Sequence, residues 1–445
     1  MTNPTSFAVV ILLLSIACQL ASTGVVVAFV PTVSNHRLPI TLQSTVLPIP
    51  SATATTPKED LISSNVLTIP SKEELAKVQP ELGYDDLNYV RSMDSPPKPG
   101  TIMKMLPVET WDIDTKTSLM YFGIDFVAVA ATMGFLNEVV TSDIYNASPL
   151  HMQAMMVVPL QILTGFAMWC MWCIGHDAGH STVSKSKSVN RIVGEIAHSM
   201  ICLTPFLPWA KSHKKHHLGH NHLTRDYSHQ WFIREEQDTL HPLIKFSYWT
   251  RNLQLPILYL VYLLFGVPDG GHVIFYGRMW EGESNKEKLN GLVSVAVSVA
   301  TAAWLWSSMG TANFAVVCMA PWCVMSFWLF MVTYLQHHSE DGKLYTDDTF
   351  TFEKGAFETV DRNYGKWVNR MSHHMMDGHV VHHLFFEKVP HYRLEAATKA
   401  LKDGLESNGQ SHLYKSIETP NFTQEILKQF NENWFFINEN QVMRK

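Results

Sequence analysis

Long apolar runs alternate with polar, histidine-rich segments along this chain. Residues 119–140 and 152–174 are each long enough for a membrane-spanning helix, which needs about 20 residues; the first carries Asp125 in its interior. Residues 289–339 contain no Asp, Glu, Lys or Arg, which predicts two further spans with a turn near Ser307-Ser308-Met309-Gly310-Thr311. Two shorter stretches, 192–209 (interrupted by Glu195 and prolines) and 253–267 (containing Pro256), read as interfacial or re-entrant helices. Lys and Arg are frequent between residues 175 and 252, whereas 137–151 and the turn near Ser308 have none. The positive-inside rule therefore places the basic segment and the C-terminal third on the cis side and the bare loops on the trans side. The pattern predicts an all-α integral membrane protein: four transmembrane helices plus interfacial helices under a histidine-rich cis-side cap.

The flanks read differently. Residues 1–58 form a targeting presequence: an apolar region at 7–20, small residues with a cleavage point after Ala28, then a Ser/Thr/Pro-rich stretch with no acidic residue before Glu59. The join Val27-Ala28-Phe29 resembles the signal-plus-transit leaders of algae with complex plastids, so a plastid membrane is the expected location and the endoplasmic reticulum the alternative. Residues 59–116 form a soluble segment with a capping box at Ser71-Lys72-Glu73-Glu74 and a break at Ser95-Pro96-Pro97-Lys98-Pro99-Gly100. The membrane domain is expected at 117–399 and a cis-side tail at 400–445.

Composition agrees with the membrane reading, with 46% hydrophobic and 17% charged residues. A net charge of -6 argues against a nucleic-acid partner. The 6 Cys lack regular spacing and sit mostly in apolar stretches, which excludes a disulfide framework; Cys170 and Cys173 are formally CxxC but in a run too apolar for a redox loop.

The chemistry lies in the histidines. In His213-Lys214-Lys215-His216-His217 the i, i+3 and i+4 rings share a helical face and are expected to converge on one point. With 22 His in 445 residues, chance gives such an HxxHH pattern on the order of 0.05 times per chain, yet it recurs at His379, His382 and His383. His176 and His180, at i and i+4, make a third cluster. All three lie just beyond an apolar boundary on the cis side. Eight imidazoles are too many for one ion, so two metals are implied, and imidazoles with open coordination positions suit iron that binds dioxygen.

At this point the chain resembles the membrane fatty acid desaturases, over residues 106–398. The resemblance rests on the boxes HxxxH, HxxHH and HxxHH, on Thr333-Tyr334-Leu335-Gln336-His337, on Asp361-Arg362-Asn363-Tyr364-Gly365, and on His382-His383-Leu384-Phe385 followed by Pro390-His391-Tyr392. The last is characteristic of enzymes acting toward the methyl end of the acyl chain. The resemblance implies a di-iron site with O2 as co-substrate and His337 as a ninth ligand. It also implies an acyl-lipid substrate and an external electron donor, ferredoxin in a plastid or cytochrome b5 in the endoplasmic reticulum. His220-Asn221-His222, His337-His338 and His373-His374 lean toward the ω-3 type; Leu106-Pro107 with Trp111, and residues 184–194, resemble plastid ω-6 (Δ12) enzymes. Asp177, Asp226, His220, His222, His373 and His374 are expected to orient the ligands from behind, because a metal-bound imidazole usually donates its other N–H; Asp125 receives no role. The alternatives are an acyl or carotenoid hydroxylase of the same histidine-box superfamily and, more distantly, a non-redox metal-binding transporter or receptor.

Overall fold

A computed structural model describes residues 95–444, except 227–228, 230, 243, 247, 252–261, 264–270, 274, 276, 278, 419–420 and 433–434. The leader, the capping box at Ser71 and most of 253–267 lie outside the described residues.

Helix α1 (Thr115–Thr141) starts at Asp114, whose carboxylate accepts the N–H groups of Lys116 and Thr117. Twenty-seven residues at 1.5 Å each give roughly 40 Å, more than the apolar thickness of a bilayer. Helix α2 (Leu150–Gly179) follows Pro149, and its last turns are buried from Ala167 to Ala178, where it enters the bundle and delivers His176. Helix α3 (Lys187–Gly194) runs through a π-helical turn at Glu195–Ile201 and then bends by 108° into α4 (Phe206–Gly219). This kinked pair is the segment expected to be re-entrant.

The longest apolar stretch comprises α5 (Asn285–Phe314), a π-helical turn at Ala315–Met319, and α6 (Ala320–His337). Both of its ends meet α4. The Leu207 N–H donates to Ser294 Oγ at 3.3 Å, and His337 Nε2 lies 3.1 Å from His216 Nε2. A straight helix of 53 residues would be about 80 Å long, so the chain must double back. It does so at Gly310, where φ is 75° and ψ 166°, a conformation that a Cβ would oppose. The expected turn is found, and all four apolar arms are helical. Among the described residues three helices, Thr115–Thr141, Leu150–Gly179 and Asn285–His337, are long and apolar enough to cross a membrane, and the bent pair is a fourth candidate.

The cap is built from segments that lack enough local structure to stand alone. Helix α7 (His379–Phe385) carries the third box, and α8 (His391–Ser407) buries Leu394, Ala397, Leu401 and Leu405 along one stripe. Three short parallel ladders weave residues 415–443 into the cap. They pair β1 (Phe232–Ile233) with β5 (Phe436–Ile437), β2 (Leu344–Tyr345) with β6 (Val442–Met443), and β3 (Val360–Asn363) with β4 (Lys415–Glu418). Strands from the stretch after residue 400 thus pair with earlier segments of the cap.

Arg362 fastens the last helix, α9 (Phe422–Glu432), to the bundle. Its fully buried side chain donates to the Leu335 carbonyl at 2.7 Å and to Glu425 Oε1 at 3.1 Å. Removing one partner of such a pair leaves the other unpaired, so Arg362→Ala should cost on the order of 3 kcal/mol. Thermal unfolding in detergent should show a lower midpoint, and limited proteolysis should release the C-terminal segment first; an unchanged midpoint contradicts this role.

Candidate metal centre

The three boxes meet inside the cap. Ring nitrogens of His176 and His180 from α2, His213 and His217 from α4, and His382 from α7 all lie within 4.8 Å of one another. His217 Nε2 is 3.0 Å from both His213 Nε2 and His382 Nε2. Beside this group His216, His229 and His337 converge, as do His337, His379 and His383, so His337 belongs to both sets. Here the close pairs are His216 Nε2 to His337 Nε2 at 3.1 Å and His383 Nε2 to His379 Nε2 at 3.2 Å. The two regions adjoin: the rings of His217 and His383 are 4.1 Å apart between centroids.

The rings of each HxxHH box therefore do not converge on one point, as their spacing had suggested. Helix geometry explains the division. At about 100° per residue, His217 is rotated about 40° from His213 in one sense and His216 about 60° in the other. His213 and His217 accordingly face the first group and His216 the second. In α7, His382 joins the first group while His379 and His383 join the second.

These residues fit a metal ion. Two nitrogens about 2.1 Å from a common ion stand about 3.0 Å apart when their bonds meet at a right angle and about 3.4 Å apart in a tetrahedron, close to the observed pairs. All ten rings are buried, and among the described residues His180 Nε2 has no hydrogen-bond partner. Burial, reinforced by neighbouring rings, pushes His229, His379, His382 and His383 well below the ordinary histidine pKa. They stand as neutral imidazoles with free lone pairs, the form that binds metal.

Behind the rings lie the orienting groups. Asp226 Oδ1 accepts from His216 Nδ1 at 2.8 Å and from the His229 N–H at 3.1 Å, while Oδ2 accepts the Asn221 N–H at 3.2 Å. Burial alone would raise this carboxyl, but the charge and hydrogen bond of His216, with His229 and His220 nearby, hold it below the usual carboxylate range. His220 Nε2 backs His337 Nδ1 at 2.8 Å. Asp177 lies 3.5 Å from His176 Nδ1, too far for a good hydrogen bond; its Oδ2 instead accepts from His391 Nδ1 at 2.9 Å and the His391 N–H at 3.0 Å. Gly175 permits the close packing behind His176. A Cβ there would lie 2.2 Å from the His198 ring, which stacks on Trp172 and bonds its carbonyl at 2.9 Å.

The remaining expected residues lie farther out. His222 Nδ1 accepts the Thr224 N–H at 3.2 Å and Nε2 lies 3.2 Å from Asp347, pinning a loop. His374 pairs with Asp377 at 3.1 Å, and His373 reaches Asp125. His229 was not anticipated. It belongs to no box, and its local signal is its position three residues after Asp226, which accepts its N–H.

A narrow crevice adjoins both groups. Trp169, Trp172, Cys173, Trp209, Leu329, Val332, Thr333 and Met375 line it together with His176, His213 and His379. A crevice with a largely apolar lining thus adjoins the buried imidazoles. The Fatty acid desaturase family model matches residues 153–416. Over 274 residues the chain is 32% identical to a Delta(12) fatty acid desaturase of Caenorhabditis elegans, covering 60% of this chain and 68% of that protein. It is 32% identical over 331 residues to an acyl-lipid omega-3 desaturase (cytochrome b5) of the endoplasmic reticulum of Arabidopsis thaliana, covering 70% and 77%. A chloroplastic omega-3 fatty acid desaturase of Glycine max is 30% identical over 313 residues, covering 68% and 64%. The chain belongs to the membrane fatty acid desaturase family and is an oxidoreductase.

Asp226 generates a specific expectation. Asp226→Asn should weaken metal retention about 10- to 100-fold, read as metal per protein after challenge with a graded chelator series. Retention equal to that of the unaltered protein would show that the carboxylate does not orient His216.

Proposed function

We propose that this protein is a di-iron, O2-dependent acyl-lipid desaturase that places a cis double bond toward the methyl end of an already unsaturated chain, with a lean toward ω-3. The reading rests chiefly on the convergence of the crevice and the ten buried imidazoles. His176, His180, His213, His217 and His382 would hold one ion; His216, His337, His379 and His383 the other, with His229 beside them. When bound, the iron pair with O2 would supply the oxidising power to remove hydrogens from two adjacent methylenes, a reaction beyond ordinary acid–base side chains.

The protein's own part is to position and to exclude. Trp172 and Trp209 pack edge to face at 5.0 Å, and Trp209 stacks on His213 at 4.6 Å, so the two indoles form one wall of the crevice beside the rings. The apolar lining admits methylenes and keeps out water. Asp226 and His220 hold His216 and His337 at fixed tilt. A displacement of about 1 Å in such a site can cost on the order of 100-fold in rate, which gives this rigidity its purpose.

The ω-3 lean is supported by His220-Asn221-His222 and His373-His374, and by relatives that include omega-3 enzymes. The acid-free, Ser/Thr-rich leader favours a plastid membrane and hence ferredoxin as donor; an endoplasmic-reticulum location would call for cytochrome b5.

The test is expression in a host of known lipid profile, fed separately with 18:1 and 18:2 acids, followed by gas chromatography of methyl esters. An ω-3 enzyme converts 18:2 to 18:3; conversion of 18:1 to 18:2 instead assigns ω-6, and an oxygenated product without a new double bond overturns the proposal. His213→Ala and His382→Ala should each abolish product while the protein still accumulates in membranes; full activity in either refutes the ligand assignment.

A further inference from the structure

Asp125 lies well inside the apolar helix α1, where a carboxylate is costly unless partnered. Its Oδ2 is 2.6 Å from His373 Nε2, a contact between residues 248 apart, and both side chains are buried. His373 and His374 have φ of 55° and 57°, two successive non-glycine residues in the left-handed region that L side chains resist. Such a turn persists only where its surroundings hold it.

The anchors are visible. Besides the Asp125 contact, Ser372 Oγ accepts the Trp169 indole N–H at 3.1 Å. The Gln336 amide donates to the Met375 carbonyl at 2.7 Å, and the Met376 carbonyl accepts the Arg362 N–H at 2.8 Å. Residues 372–376 are thus pinned from α1, α2, α6 and β3 at once. Trp169, Gln336 and Met375 all line the crevice, and His379 stands four residues after Met375, at the start of α7.

We infer that Asp125 and His373 form a clamp that sets the Met375 wall of the crevice, and through it which methylene of the acyl chain stands opposite the metal-facing histidines. The inference rests on the reading of the crevice as the acyl slot. Asp125 is a positioning residue: it acts through His373 and the strained turn.

The experiment compares the full-length protein with Asp125→Ala, Asp125→Asn and Met375→Ala, expressed in the same lipid-profiled host. Membrane protein level, metal content and double-bond position by mass spectrometry are read for each. Asp125→Ala should lower product per folded protein at least tenfold and spread the double bond over neighbouring carbons, with metal content unchanged. Asp125→Asn, which can still hydrogen-bond His373, should restore the single position. Met375→Ala should cause the same spread without touching the clamp, so it carries the test if Asp125→Ala fails to accumulate. A single unshifted double-bond position in Met375→Ala, or in a well-folded Asp125→Ala, overturns the clamp, as does an activity loss that only parallels loss of metal. Absence of any new double bond from the unaltered protein would instead overturn the acyl reading itself.

Discussion

Imidazole nitrogens that face one another across 3.0 to 3.2 Å in a buried cap are the constraint on which the rest of the structure depends. Lone pairs at that distance, away from water, are unfavourable neighbours unless a cation or a shared proton lies between them. Deep burial pushes His379, His382 and His383 well below the ordinary histidine pKa, and a cation bound among the rings would satisfy the facing lone pairs. The site can form only if α2, α4, α6, α7 and the loop at His229 arrive together. Folding of the cap and completion of the centre are therefore one problem.

Three buried carboxylates are each matched to an imidazole: Asp226 to His216, Asp177 to His391, and Asp125 to His373. The pairings differ in purpose. Asp226 acts on a ring of the metal-facing set. Asp177 fastens the start of α8 to the end of α2. Asp125 reaches from a membrane-spanning helix to the turn that precedes the third box. A carboxylate holds a ring in tilt as well as in place because it accepts from one defined nitrogen, which a hydrophobic contact cannot do.

The peripheral cap supplies rigidity that local helices cannot. β1, β2, β5 and β6 each span two residues, too short to be stable alone. They persist because α8, α9 and the buried Arg362 hold the C-terminal segment against the loops behind the boxes. Segments remote in sequence thus share the task of keeping the His229 loop and the third box in register with α4.

Much of this was legible in the sequence because the signals are local. Hydropathy runs marked the four apolar arms, and the charge-free stretch with its glycine marked the fold-back at Gly310. The spacing of the boxes named eight of the ten rings that gather, and the motifs around them pointed to the family and, through it, to His337. The division of labour was not legible. Helical rotation separates His216 from His213 and His217, but only the neighbours of that face decide which rings from other segments join each of them. His229 belongs to no box, and the sequence marks it only by its place three residues after Asp226. That His220 stands behind His337, and that Asp125 meets His373 across 248 residues, depends on how the helices pack. The sequence by itself determined which residues carry the chemistry, because helical periodicity and apolar length act over a few turns of chain. Tertiary structure alone decided which ring serves which position, because that follows from packing between segments that have no local relation.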